Sequence, residues 1–304
     1  MPAHSTMTGT SVSNRRVSGS DPLEASIRAS SAAALILDLD DTLIDARRTR
    51  MEAFAVLDGL AAGQFGTKPG AVAEHADQVL KEVWRASPFV EEFARLGCAP
   101  TDALWVDFTG PGALLAQIRR WMPAFRIRYW QTLCSRASAR REGDYTVLGE
   151  AFVAERQKRI RTFPGATDAL AQLRRRFPLA LLTNGPGDLQ RLKLKRTGLE
   201  PYFDAVIVSA EAGLAKPSAE VFALMCDAIG SPAERSIVVG DDWELDVVGA
   251  QTAGLPAILV GNDGIAKPAR RQEASLARVR IVSRVADLPR FLFARRWREW
   301  VGLC

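Results

Sequence analysis

Short apolar runs separated by helical patterns constrain the fold of this chain more than any other feature. The first run lies at residues 35–37, and the others follow only in the second half, at residues 179–183, 205–209, 236–240, 257–260 and 279–282. Helical patterns lie at 166–176, 188–197, 218–229 and 246–253. Because alternating strands and helices form right-handed βαβ units, the sequence predicts a doubly wound, Rossmann-like parallel α/β sheet.

Residues 46–160 do not show this alternation of strands and helices. They show helical periodicity and many aromatic residues, and a structureless loop of that length is implausible inside a compact domain. We therefore predict that 46–160 (the insert) form a mostly α-helical cap, whose aromatics pack in its own core. The α/β core then comprises residues 31–45 and 161–295.

Composition limits the classes of protein to consider. The 304 residues are 47% hydrophobic and 25% charged, which is typical of a soluble globular protein. No apolar run is long enough to span a bilayer, so no membrane association is expected. Four cysteines without a Cys-x-x-Cys pair favour reduced thiols and a cytoplasmic location.

Both chain ends have distinct compositions. Residues 1–30 are rich in Ser, Thr and Ala and predict a disordered leader. Residues 264–304 hold ten Lys/Arg and three Asp/Glu, but basic residues alone do not predict a nucleic-acid partner. A last helix is expected over 291–304, with 296–304 as its end. Its apolar face, including Phe293 and Trp297, predicts docking on the core, ahead of a dimer contact or membrane-surface binding. We expect a monomer or homodimer.

Two acids follow the first apolar run directly. Asp38 and Asp40, with Thr42 close behind, would lie at the carboxyl end of a strand, where ligands collect in open α/β sheets. Like charges so close together are unfavourable unless a cation or a catalytic role compensates. A helix cap or an Asx turn is the alternative reading of these residues.

Polar residues that suit an anion follow the second strand and precede a later helix. Thr183, Asn184 and Gly185 offer a hydroxyl, an amide and exposed backbone N–H groups, although capping of the next helix would explain them as well. Lys216 stands just ahead of a helix start at residues 217–218. Beside two aspartates and a phosphate, this lysine would neutralise charge.

The fourth strand ends in a third group of acids. Asp241, Asp242 and Asp246 lie there without a nearby His or Cys. Carboxylates alone suit a hard cation, above all Mg²⁺.

In this order and spacing, the motifs resemble the haloacid dehalogenase-like hydrolase superfamily, over residues 33–45 and about 163–292. The resemblance implies that Asp38 is the nucleophile that takes the phosphoryl group. Asp40 would be the general acid and then the base that activates water, which requires a raised pKa. Asp38, the backbone carbonyl of Asp40, and Asp241 would hold Mg²⁺.

The resemblance also assigns the remaining motif residues. Thr183 and Asn184 match the motif that holds the phosphoryl oxygens, and Lys216 matches the lysine that balances charge. Asp246 matches the second acid of the metal motif, and Asp242 fills a position that varies.

An acid at position 40 points to a phosphatase and not a dehalogenase, because a leaving halide needs no proton. The stretches at residues 183–204 and 213–222 resemble phosphatases that act on small phosphorylated metabolites such as sugar phosphates and nucleotides. A phosphomutase, a phosphonate hydrolase or a non-catalytic regulatory protein of the same fold remain alternatives. Arg47, Arg48 and Arg50, where the chain enters the insert, are candidates for contact with a second anionic group of the substrate.

Overall fold

A six-stranded parallel sheet forms the centre of the molecule. The computed structural model describes residues 33–262 and 279–294. The strands are β1 (Ala34–Leu37), β2 (Leu179–Thr183), β3 (Ala205–Val208), β4 (Ser236–Gly240), β5 (Ala257–Val260) and β6 (Val279–Val282). They are ordered β3-β2-β1-β4-β5-β6, and all pairs are parallel. The predicted doubly wound α/β sheet is confirmed.

Strand β1 lies in the middle of this sheet. All four of its residues are buried, and Leu35 pairs with Leu179 of β2 on one side and with Ile237 of β4 on the other. Its side chains alternate between two hydrophobic clusters, one on each face of the sheet, with Leu35 in one and Ile36 in the other. A continuous apolar run is therefore what this position requires.

The insert forms five helices: α1 (Ala46–Phe65), α2 (Ala71–Arg85), α3 (Val90–Leu96), α4 (Ala113–Arg136) and α5 (Thr146–Lys158). A 3-10 helix spans Asp102–Leu104. The chain leaves and re-enters the core side by side, because Phe163 N donates to Leu43 O and Asp45 N donates to Arg161 O. The insert is thus connected to the core by two adjacent segments, the first of which follows β1 directly.

One hydrophobic cluster fills the insert. Its aromatic rings are in contact, with the Trp84 centroid 4.6 Å from that of Phe93 and 5.5 Å from that of Phe125. Leu189 of the α/β core joins this cluster. The aromatics of the insert serve mainly as core packing, as their helical spacing predicts.

The helices of the α/β core follow the insert. They are α6 (Ala166–Leu173), α7 (Gly187–Thr197), α8 (Ser209–Ala212), α9 (Ala219–Ile229), α10 (Gly249–Thr252) and α11 (Leu288–Phe293), with a π-helix over Trp243–Val248. Short 3-10 helices span Glu200–Tyr202, Ala233–Arg235 and Val285–Asp287. The helix expected over 246–253 begins earlier, because the Asp242 carboxylate accepts hydrogen bonds from Glu244 N and Leu245 N and so starts the π-helix.

The predicted last helix is only partly described. Helix α11 ends at Phe293, because Ala294 is extended. Phe293 stacks on Phe177 with centroids 6.4 Å apart, and the Arg176 guanidinium lies over its ring, so this part docks on the core. The predicted leader (1–30) and the helix end (296–304) lie outside the described residues.

Two further observations bear on the composition argument. Cys98, Cys134 and Cys226 are free and buried, whereas Cys304 lies outside the described range. Within residues 33–262 and 279–294, we find no helix with the length and apolar character needed to cross a membrane.

Candidate active site

The carboxyl edge of the sheet brings the predicted polar residues together. Asp38 follows β1, and its N–H donates to Val239 O of the neighbouring strand. Lys216 reaches the same point, with Nζ 2.6 Å from Asp38 Oδ1 and 2.6 Å from Asp246 Oδ1. Residues that are far apart in the sequence thus form one buried charge cluster.

Three carboxylates of this cluster converge. Asp38, Asp241 and Asp246 each present an oxygen, and these oxygens lie within 4.8 Å of one another. Burial raises the pKa of Asp38 to about 7, although Lys216 acts in the opposite direction. Burial and the charges of Asp38 and Asp246 raise the pKa of Asp241 to about 9. Such mutual repulsion is relieved by a cation, and carboxylate oxygens are the donors that Mg²⁺ prefers.

Lys216 supplies one positive charge to these three acids. Burial by itself would lower the pKa of Lys216, but Asp246 and Asp38 raise it, so the ammonium form is favoured. Both oxygens of Asp246 already accept hydrogen bonds, the second from Asp242 N at 3.1 Å. Asp38 and Asp241 are therefore the acids better placed to hold a metal ion, and Asp246 anchors Lys216.

Gly240, the last residue of β4, allows Asp246 to come this close. A Cβ at position 240 would lie 2.1 Å from Asp246 Oδ2. A side chain of any size here would push Asp246 away from Lys216.

The turn after β1 is held from several sides. Asp41 adopts a left-handed conformation (φ 57°), and its carboxylate accepts a hydrogen bond from Arg47 N at 2.7 Å. The Asn262 amide donates to Asp41 O and Thr42 O, at 3.0 and 2.8 Å. Thr42, predicted to support the site, is fully buried, with its hydroxyl 3.5 Å from Asp241 Oδ1.

Asp40 lies beside two side chains of α7 that the sequence did not single out. Lys193 Nζ is 2.8 Å from its Oδ1 and 2.7 Å from its Oδ2, and the Gln190 amide donates to Oδ2 at 2.9 Å. Burial alone would raise the pKa of Asp40, but Lys193 and Gln190 outweigh it, and the pKa is lowered. The predicted raised pKa of Asp40 is therefore wrong for this state of the protein, because the lysine partner was not anticipated.

The three residues predicted to bind phosphate make internal hydrogen bonds. The Thr183 hydroxyl accepts one from Gln190, and Gly185 N donates to Ser209 Oγ at 2.9 Å. Asn184 binds the backbone of Lys216 twice, donating to its carbonyl at 2.9 Å and accepting from its N–H at 3.0 Å. Here the Asn184 amide positions Lys216, and the Gly185 N–H is already used by Ser209. Asn184 keeps a second amide N–H, so its contact with a phosphoryl group stays a prediction.

The other predicted residues divide between the site and the surface. Asp242 is exposed and caps the π-helix, as described above. Of the three arginines at the start of the insert, only Arg47 faces the cluster, with Nη2 3.8 Å from Asp241 Oδ2. Arg48 pairs with Glu52, and Arg50 pairs with Asp77.

A family comparison agrees with this geometry. A profile of the haloacid dehalogenase-like hydrolases matches residues 32–254, which is most of the chain. The chain belongs to this family.

Relatives of this hydrolase include named phosphatases. It is 37% identical over 230 residues to a phosphoserine phosphatase of Thermus thermophilus, covering 74% of this chain and 87% of the relative. It is 32% identical over 153 residues to the pyrimidine 5'-nucleotidase YjjG of Escherichia coli, covering 50% of this chain and 63% of that protein.

Solved structures share the fold of the hydrolase. The putative HAD-hydrolase YfnB of Bacillus subtilis, bound to magnesium, is 20% identical with a TM-score of 0.57, covering 86% of this chain and 99% of that one. A 2-haloacid dehalogenase of Pseudomonas syringae is 24% identical with a TM-score of 0.52, covering 88% and 99% of the two chains. At this identity, the likeness concerns the fold alone.

Sequence reasoning missed several residues of the hydrolase's site. Lys193 and Gln190 lie on α7 at i and i+3, where polar residues usually face solvent, yet both are buried. Arg156 and Trp105 of the insert also lie close to the site, because the Trp105 ring centroid is 4.6 Å from Arg156 Cζ and 6.0 Å from Lys193 Nζ. Their one sequence signal is that the predicted helical cap follows the first motif directly.

Proposed function

We propose that this hydrolase is a Mg²⁺-dependent phosphomonoesterase that acts on a small phosphorylated metabolite through an aspartyl-phosphate on Asp38. The observation that carries the proposal is the bridge from Lys216 Nζ to Asp38 and Asp246, 2.6 Å to each, beside Asp241. The phosphatase activities named for its relatives support the reaction type.

Asp38 is placed to act as a nucleophile. Its carboxylate is nearly buried at the end of the central strand, and Lys216 binds one of its oxygens. The other oxygen can attack phosphorus, which splits a difficult hydrolysis into formation and breakdown of an acyl phosphate. Lys216 would balance the charge that the phosphoryl group brings.

Asp38 and Asp241 would hold Mg²⁺, together with the Asp40 carbonyl that the family resemblance implies. The donor set fits, because it consists of oxygen atoms and carries more negative charge than Lys216 neutralises. When bound, the cation lets an anionic nucleophile approach an anionic ester.

Asp40 would act as the general acid and then as the general base, as the resemblance implies. In the structure Lys193 favours its ionised form. A bound phosphate ester adds negative charge beside Asp40, and a like charge raises the pKa of a carboxyl group. We infer that substrate binding makes Asp40 competent to protonate the leaving oxygen, and that after cleavage it serves as the base for water.

The insert would restrict the substrate to small molecules by covering the carboxyl edge of the sheet. It touches the motif loops directly, because the Ser209 hydroxyl donates to Leu96 O, and Thr109 N donates to the Asp188 carboxylate at 3.0 Å. The domain limits, the monomer or homodimer state, the cytoplasmic location and the absence of a nucleic-acid partner stay predictions.

Hydrolysis of an aryl phosphate by the purified protein with Mg²⁺ tests the proposal. We expect Asp38→Asn to lower kcat by about 10³-fold or more, because an amide is a poor nucleophile. Asp227→Asn, which removes an exposed carboxylate from α9, is the matched control and should retain activity. Near wild-type turnover by Asp38→Asn would exclude the covalent mechanism.

A further inference from the structure

Arg156 of α5 is a buried cation without an acidic partner. Its side chain belongs to a residue that is 7% exposed, and Nη1 donates to Thr49 Oγ1 at 2.8 Å and to Ala46 O at 3.0 Å. Nε is buried without an acceptor within the described part of the chain, and no carboxylate there lies within ion-pair distance. A buried guanidinium normally has a carboxylate or phosphate partner, because desolvating an unpaired charge is costly.

Trp105 places Arg156 beside the proposed general acid. The Arg156 Cζ atom lies 4.6 Å from the Trp105 ring centroid, and Lys193 Nζ lies 6.0 Å from the same centroid. Lys193 is in turn the cation that binds both oxygens of Asp40. Arg156 therefore lies close enough to Asp40 for its charge to help lower the pKa of that carboxyl group.

The nitrogen that remains on the guanidinium indicates the ligand. Nη1 is used by Ala46 and Thr49, and Nε is buried, so among the described residues Nη2 is left to bind an anion. A guanidinium N–H and a carboxylate oxygen form a charge-assisted hydrogen bond. A second phosphate would call for a further cation. Lys193 is committed to Asp40, so one guanidinium nitrogen suits a singly charged group better.

We propose that Arg156 binds a carboxylate on the leaving alcohol, so that the preferred substrates are phosphomonoesters of hydroxy acids. This inference rests on the proposed phosphatase function. Trp105 orients the guanidinium by stacking, and the contacts of Nη1 with α1 hold it in place. The competing explanation is structural, with Arg156 serving only to tie α5 to α1.

Two matched substrate pairs test the proposal. O-phosphoserine and O-phosphoethanolamine differ by a carboxylate, and in 3-phosphoglycerate and glycerol 3-phosphate a carboxylate replaces a hydroxymethyl group. With wild-type protein and Mg²⁺, we expect kcat/KM to favour the carboxylate member by roughly 10- to 100-fold, the value of a charge-assisted hydrogen bond. In Arg156→Gln this ratio should fall toward one, and Arg156→Lys should keep part of it.

Arg128→Gln is the matched control, because it removes an exposed arginine from α4 of the insert and leaves Arg156 untouched. The ratio within each pair should persist in Arg128→Gln. An unchanged ratio in Arg156→Gln, with both members of a pair hydrolysed more slowly, would overturn the proposal in favour of the structural role. A wild-type ratio near one, with an aryl phosphate still hydrolysed, would overturn the carboxylate subsite alone. Failure to hydrolyse the aryl phosphate as well would instead refute the proposed function.

Discussion

Lys193 binds Asp40 through both carboxylate oxygens, at 2.8 and 2.7 Å. The Gln190 carbonyl oxygen accepts a further hydrogen bond from the same ammonium at 2.7 Å. This pair fixes the orientation of the proposed general acid and favours its ionised form. It also links the chemistry at β1 to α7, which carries Leu189 into the core of the insert.

Replacing Lys193 by Met should destabilise the protein in a pH-dependent way. The lowered pKa of Asp40 stabilises the folded state above the unfolded pKa of 3.8, and that stabilisation is lost as the pH falls through the folded value. We expect a loss of about 1–3 kcal/mol in unfolding free energy at pH 7, and a smaller loss at pH 3, which lies below the unfolded pKa. Urea unfolding at both pH values measures it.

Lys195→Met is the control for this prediction. It removes the same formal charge from the same helix at an exposed position, so its effect should stay within about 0.5 kcal/mol. Equal losses in both variants, or a loss independent of pH, would contradict a specific role for the Lys193–Asp40 pair.

Mg²⁺ should stabilise the protein, and more strongly at high pH. With the pKa of Asp38 raised to about 7 and that of Asp241 to about 9 when no cation is bound, protons compete for the same oxygens. The Mg²⁺-induced rise in Tm should therefore grow between pH 6 and pH 9. Asp241→Asn should reduce this rise, whereas Asp227→Asn should not. A chelator should abolish hydrolysis, and a pH-independent rise would argue against binding at these acids.

Gly240→Ala should displace Asp246 and so disrupt the charge cluster of Asp38, Lys216 and Asp246. The added Cβ would overlap Asp246 Oδ2, and moving Asp246 removes one of the two acids that hold Lys216. We expect a loss of about 1–3 kcal/mol in unfolding free energy, with reduced kcat. Gly59→Ala, in α1 with no atom within 4 Å of the new Cβ, should instead stabilise by about 0.5–1 kcal/mol. Unchanged stability of Gly240→Ala would show that Asp246 can shift without cost.

The sequence was sufficient to predict the α/β sheet, because buried parallel strands leave uninterrupted apolar runs such as 35–37 and 236–240. The ends of those runs also indicated Asp38, Asp241 and Lys216 as neighbours, since the carboxyl ends of parallel strands share one edge.

The hydrogen-bond and ion-pair partners of the site residues could not be predicted in the same way. Lys193, Gln190 and Arg156 are polar residues on helices, and only tertiary packing decides whether such residues face solvent or the site. Asn184 shows the same limit, because its position was expected but its two hydrogen bonds to the backbone of Lys216 were not. The predicted direction of the Asp40 pKa shift was wrong for this reason, because the prediction did not include Lys193.

The central position of β1 has a consequence for the order in which the protein is made. This strand is synthesised early, yet both of its partners, β2 and β4, follow the whole insert in the chain. While the ribosome completes the insert, β1 has neither neighbour, and Asp38 has neither Lys216 nor the acids Asp241 and Asp246 beside it. The surroundings of the proposed nucleophile are therefore complete only after β4 and the residues that follow it have emerged.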